Sequence, residues 1–128
     1  MSDRSVFDAV GGSAFFTELV ERFYRGVAAD LLLRPLYPDE LADSKRHLDL
    51  FLQQYWGGPG TYSQERGHPR LRMRHAPFVV GEPERDAWLL HMTAAIDSLV
   101  AEGRVPVEVE AQLRSYFTST ADFLVNAR

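Results

Sequence analysis

Residues 13–29 read Ser-Ala-Phe-Phe-Thr-Glu-Leu-Val-Glu-Arg-Phe-Tyr-Arg-Gly-Val-Ala-Ala. Phe15, Leu19, Phe23 and Val27 recur at every fourth position, and Phe16, Val20 and Tyr24 form the adjacent row. A helix of 3.6 residues per turn gathers both rows onto one face, so the segment reads as a helix with a wide apolar stripe. Gly11-Gly12 breaks the chain ahead of it, and Ser13 is the expected N-cap. After Asp30, Arg34-Pro35 and Tyr37-Pro38 impose extended or turn geometry.

The same period returns along the rest of the chain. Leu41 to Trp56 carries Leu48, Phe51, Leu52, Tyr55 and Trp56 on one side, and Gly57-Gly58-Pro59-Gly60 stops it. A loop of about ten residues follows; Pro69 then opens a short helix, which Pro77 limits to about two turns. A third long helix is expected from Pro83, with Trp88, Leu89, Met92, Ala95, Ile96, Leu99 and Val100 in its stripe and Gly103 at its end. A fourth starts at Pro106 and aligns Val109, Leu113, Tyr116, Phe117, Thr120, Phe123 and Leu124. Val79-Val80 is too short to be a strand, and no alternating pattern competes with the helices. The fold class is therefore all-α, with four long helices and one short one in a single domain, 1–128.

Composition removes several classes of function. The 128 residues can bury roughly two-thirds of the surface of the unfolded chain, enough for one core. A net charge of −4 gives no general attraction to nucleic acid or to an anionic membrane. The absence of cysteine excludes disulfides, thiolate metal sites and cysteine nucleophiles. No apolar run reaches the ~18 residues of a membrane span, and Met1 to Val10 lacks the apolar core of a secretory leader. A cytoplasmic location is expected. The histidines His47, His68, His75 and His91 do not form HExxH or a similar zinc spacing. No glycine-rich loop follows a strand, and Gly57-Gly58-Pro59-Gly60 reads as a helix stop rather than a phosphate cradle.

One segment stands apart. Arg66-Gly67-His68-Pro69-Arg70-Leu71-Arg72-Met73-Arg74-His75-Ala76-Pro77-Phe78 places four arginines within nine residues of an acidic chain. Three readings fit these residues. One is a solvated face with a core histidine. A second is a nucleic-acid surface, against which the overall charge argues. The third is a short helix with Leu71 and His75 on one face, beside arginines that pair with the carboxylates of a bound cofactor. Haem asks for such a site: an apolar slot, an axial ligand and cations near its propionates.

Phe7-Asp8-Ala9-Val10-Gly11-Gly12, Arg22-Phe23-Tyr24, Gln54-Tyr55-Trp56-Gly57-Gly58-Pro59, Arg66 through Phe78, and Trp88 together resemble the truncated haemoglobins of group II. The resemblance covers almost the whole chain and is least distinct in the last helix. It implies a two-over-two helical sandwich around haem b. His75 matches the proximal iron ligand, whose second ring nitrogen should donate to a backbone carbonyl. Tyr24, Tyr37 and Trp88 match the polar aromatics that face the bound ligand. Ser44 falls at the position where classical globins place a distal histidine. Leu48 is expected to press on the haem face, with Phe51, Leu71, Phe78 and Met92 as apolar walls. His47 stands where the family often has an arginine. It bonds a haem propionate, leaves that side to Arg46 or Arg72, or swings in as a second iron ligand. His68 and His91 read as structural or exposed.

The resemblance carries a functional expectation. Dioxygen, once bound, carries partial negative charge, and a charge-assisted hydrogen bond is worth roughly 1.5–3 kcal/mol. One such donor slows release roughly tenfold to a hundredfold. The expected protein holds O2 tightly, accepts CO and NO as well, and is not a bulk carrier. Oxidation of NO or peroxidase chemistry would add an external reductase as partner, since no flavin or nicotinamide domain is fused here. A homo-oligomer stays open. The rival from another class is a haem-free helical interaction module.

Overall fold

The computed structural model describes residues 4–127. The expectations for the leader region and the full 1–128 domain extend in part to residues 1–3 and 128, outside the described residues. Seven helices occur among the described residues: α1 Val6–Ala9, α2 Ser13–Ala28, α3 Ala42–Tyr55, α4 Thr61–Arg66, α5 Leu71–His75, α6 Glu82–Ala101 and α7 Val107–Phe123. A 3-10 turn at Arg34–Leu36 interrupts the loop between α2 and α3. No strand occurs among the described residues. The four long helices lie where the periodicity placed them.

Both apolar rows of α2 are buried from Phe15 to Val27. A helix buried on so wide a face needs partners on two sides, and α2 packs against both α3 and α6. Helix α6 in turn packs against α7, which completes a two-over-two arrangement. Met92, Ala95, Ile96 and Leu99 from α6 meet Val109, Leu113 and Phe117 from α7 in the same core.

Several local details differ from the sequence expectations. Gly12, with φ 91°, is the N-cap of α2, so Ser13 is its first helical residue. The loop expected after Gly60 contains α4, whose Ser63 N–H and hydroxyl bond the Gln54 side chain. Helix α5 begins at Leu71 rather than Pro69, after Arg70 in the left-handed region at φ 45°. Phe123, expected in the α7 stripe, is 55% exposed and carries the Arg72 guanidinium 4.8 Å above its ring.

The Gly57-Gly58 stop has a second role. The Phe7 N–H donates to the Trp56 carbonyl at 2.9 Å, which seats α1 over the end of α3. A Cβ on Gly58 would lie 2.6 Å from the Phe7 ring and 2.8 Å from the Gln53 carbonyl oxygen. One of those obstacles is backbone and cannot step aside. Gly58→Ala should therefore cost about 1–3 kcal/mol, read as a lower denaturation midpoint in urea. Trp56 behaves in the opposite way. Its ring lies edge-on against Tyr55 and Tyr116, but its indole N–H is buried without a partner. Trp56→Phe keeps most of the apolar ring and removes the orphaned donor. The same unfolding measurement should show stability unchanged or raised by about 1 kcal/mol.

Candidate functional site

A cavity of about 410 Å³ is enclosed by α2, the 30–39 loop, α3, α5, the first two turns of α6 and the distal end of α7. Tyr24, Tyr37, Ser44, His47, Leu48, Phe51, Leu71, His75, Phe78 and Trp88 all line it, whereas Arg72 and Met92 do not. Both exceptions follow from helix geometry. At 3.6 residues per turn, Arg74 falls on the Leu71–His75 face of α5 while Arg72 turns away from it. Arg74 accordingly lines the cavity, and Arg72 stands over Phe123. Met92 lies one turn beyond Trp88 on α6, fully buried in the core. The stripe leaves the cavity at that turn.

His75 closes α5. Its Nδ1 lies 2.7 Å from the Leu71 carbonyl, which accepts the Nδ1–H and leaves the Nε2 lone pair free to ligate. The segment after it is tied to the far end of the chain. The Asn126 side-chain amide donates to the carbonyls of Phe78 at 2.9 Å and His75 at 3.3 Å, while its oxygen accepts the Val80 N–H at 2.9 Å. Asn126 was not picked out from the sequence. A lone asparagine after a helix carries no pattern.

Three polar aromatics meet in the cavity. Tyr24 and Tyr37 stand edge-on with ring centroids 5.6 Å apart, and Trp88 packs on Phe23 at 5.0 Å. The Tyr24 and Tyr37 hydroxyls and the Trp88 indole thus share one stretch of the cavity wall, and each of Tyr24 and Trp88 bears on the Tyr37 phenol. Burial pushes Tyr37 up to about 12, and Tyr24 higher still, because a phenolate loses its hydration there.

Cations stand at the rim. Arg74 is anchored on the carbonyls of Pro69 at 2.7 Å and Arg66 at 2.9 Å. An Arg66 guanidinium nitrogen lies 2.9 and 3.0 Å from the two ring nitrogens of His47. Burial and then the Arg66 charge hold His47 below the usual imidazole range, so it is neutral at pH 7. Arg66 and Arg74 were legible as part of the arginine cluster, but a wheel anchored on Leu71 was needed to say which arginines face inward. Leu33, Leu36, Tyr62 and Tyr116 also line the cavity. Tyr116 belongs to the ordinary apolar stripe of α7, and Leu33, Leu36 and Tyr62 fall in stretches that read as loop, so none of the four carries a distinguishing signal. Of the remaining histidines, His68 is exposed, and His91 is partly buried against Asp30 at 2.6 Å.

Residues 5–120 match the model of the bacterial-like globins. The group 2 truncated hemoglobin YjbI of Bacillus subtilis (strain 168) is 41% identical over 99 residues, 77% of this chain and 74% of that protein. The chain belongs to the bacterial-like globins, among the group 2 truncated haemoglobins. The X-ray structure of a thermostable hemoglobin from Thermobifida fusca is 52% identical to this globin with a TM-score of 0.91, covering 96% of this chain and 98% of the other. That of a truncated oxygen-avid haemoglobin from Bacillus subtilis is 36% identical with a TM-score of 0.88, covering 96% and 100%.

A globin implies haem, and the residues present fit it. The cavity wall is mostly apolar, His75 presents one unengaged ring nitrogen, and Arg66 and Arg74 supply positive charge at the rim. Among the described residues, no helix is long and apolar enough to cross a membrane.

The buried phenols predict an alkaline limit. Tyr37 and Tyr116 are raised from an ordinary value of 10.0 to about 12 by burial. The unfolded chain gives up these protons near pH 10 while the folded chain keeps them. The stability they contribute is complete below about pH 10 and is lost as the pH rises from about 10 towards 12. Denaturation midpoints measured across this window should fall, and Tyr37→Phe should shallow the slope.

Proposed function

We propose that this globin is one domain that binds haem b through His75 Nε2 and holds O2 tightly, with Tyr37 as the principal donor to the ligand. The observation that carries this reading is the meeting of three polar aromatics, Tyr24, Tyr37 and Trp88, in the wall of one cavity that His75 also lines. In this reading Tyr24 and Trp88 turn their protons towards the Tyr37 oxygen, which leaves its own O–H for the ligand. When bound, haem iron supplies a seat for a diatomic ligand; the chain supplies everything that sets how long the ligand stays. His75 is held in one tautomer by Leu71. Arg66, Arg74 and neutral His47 meet the propionates, which keeps His47 on the rim rather than on the iron. Ser44 and Leu48 form the small and the apolar parts of the wall on α3. The chain has no cysteine, so no thioether link holds the haem.

Tight O2 binding also accords with the oxygen-avid haemoglobin of Bacillus subtilis that this fold resembles. A peroxidase role asks for a distal acid–base group that titrates near neutrality, and a phenol raised to about 12 does not provide one.

Purified protein should show a strong Soret band that shifts with CO after reduction, and His75→Gly should weaken or abolish it. Tyr37→Phe should speed O2 release by about tenfold to a hundredfold in stopped-flow measurements. Tyr24→Phe and Trp88→Phe, which remove only orienting bonds, should each have a smaller effect. Equal release in all three variants and the parent would sink the distal assignment. Absence of a Soret band after haemin is added would sink the haem reading itself.

A further inference from the structure

The loop that carries Tyr37 is held from behind by a pair of residues with no part in ligand contact. Asp30 lies two residues beyond α2. Its Oδ1 accepts the backbone N–H groups of Leu32 at 2.8 Å and Leu33 at 3.1 Å. Its Oδ2 lies 2.6 Å from Nε2 of His91, and the two side chains are 16% and 18% exposed. His91 stands three residues after Trp88 on α6, so the two side chains project from neighbouring positions of one helix face. A Cβ on Gly26 would lie 2.3 Å from His91 Nδ1. Glycine inside a helix costs about 1 kcal/mol relative to alanine, so the missing side chain at Gly26 is space kept for the imidazole.

What Asp30 orders leads directly to the cavity. Leu33 is 2% exposed and lines it, as do Leu36, Tyr37 and Pro38. The far side of the loop is closed by Arg34, whose guanidinium donates to the carbonyls of Tyr37 at 3.3 Å, Pro38 at 2.9 Å and Asp39 at 2.6 Å. Between the Asp30 knot and the Arg34 clasp the backbone has only the 3-10 turn Arg34–Leu36. The knot therefore fixes where the turn starts, and the turn fixes where the Tyr37 ring enters the cavity.

We propose that His91 is a positioning residue of the distal site: its hydrogen bond holds Asp30, Asp30 holds the backbone at Leu32 and Leu33, and that backbone aims the Tyr37 hydroxyl. This rests on the reading of Tyr37 as the donor to bound ligand. Helix α6 then bears on Tyr37 twice, through Trp88 beside it in the cavity wall and at one remove through His91 and Asp30.

The test uses the haem-loaded protein and two readouts, amide hydrogen exchange at Leu32 and Leu33 and the rate of O2 release. His91→Ala should raise exchange at both amides about tenfold and speed release about threefold to tenfold, because a loosened loop keeps the donor for only part of the time. His91→Gln, which returns a neutral N–H donor at similar reach, should stay within about twofold of the parent in both readouts. In a Tyr37→Phe background His91→Ala should change release by less than about twofold, since the group it positions is gone. Gly26→Ala, which crowds the imidazole without altering it, should reproduce the His91→Ala changes and serves if that variant fails to fold. Release unaltered by His91→Ala, while Tyr37→Phe alone accelerates it, would overturn this inference and leave the distal reading standing. An undiminished His91 effect in the Tyr37→Phe background would overturn it as well, by showing a route that bypasses Tyr37. If Tyr37→Phe alone changes nothing, the distal reading falls and this inference with it.

Discussion

The molecule depends on the burial of one helix on two sides. Helix α2 has a face too wide to be covered by a single neighbour, and it draws α3 to one flank and α6 to the other. Seven of its sixteen residues are buried. Once those three helices are set, α7 has an apolar surface waiting on α6, and α3 and α6 are left apart where no long helix fills the gap. That gap is the cavity. Its roof and floor are short segments that have no core of their own: the 30–39 loop, and α5 with the strand-free stretch that follows.

This division of labour explains the hydrogen bonding. Short elements cannot hold themselves, so side chains tie them to the long ones. Asp30 and Arg34 bracket the loop that holds Tyr37. Leu71 and Asn126 bracket His75. Asp30, Arg34 and Asn126 hold these segments from outside the cavity, which keeps a mostly apolar wall. An apolar wall is also what raises the buried phenols and keeps Tyr37 protonated across the physiological range.

What could be read from the sequence follows the same line. The long helices were legible because each repeats its apolar residues over three turns or more, and burial confirms both rows of α2. Short elements are illegible by the same means: α4 falls in a stretch that reads as loop, and α5 begins two residues after the Pro69 that the sequence suggests, because one turn of helix leaves no periodic signal. Of the residues that line the cavity, ten are legible through the resemblance and through Leu71 and His75 sharing a face. Arg72 was chosen where Arg74 lines the cavity, an error of register on a five-residue helix. Met92 was placed one turn too near because a stripe does not say where along the helix a cavity ends. Asn126 and Asp30 could not be found at all, since each acts through a contact between segments distant in the chain.

The Asn126 clamp has a consequence for the order in which the protein is made. On the ribosome, α2 emerges ahead of α3 and α6 and can gather apolar partners as they follow. The segment from His75 to Val80 leaves the ribosome well before residue 126, and a helix of five residues is not stable by itself. The stretch around His75 therefore gains its defined shape only once α7 has docked and delivered its asparagine, so the long helices form the scaffold first and this short segment is fixed last.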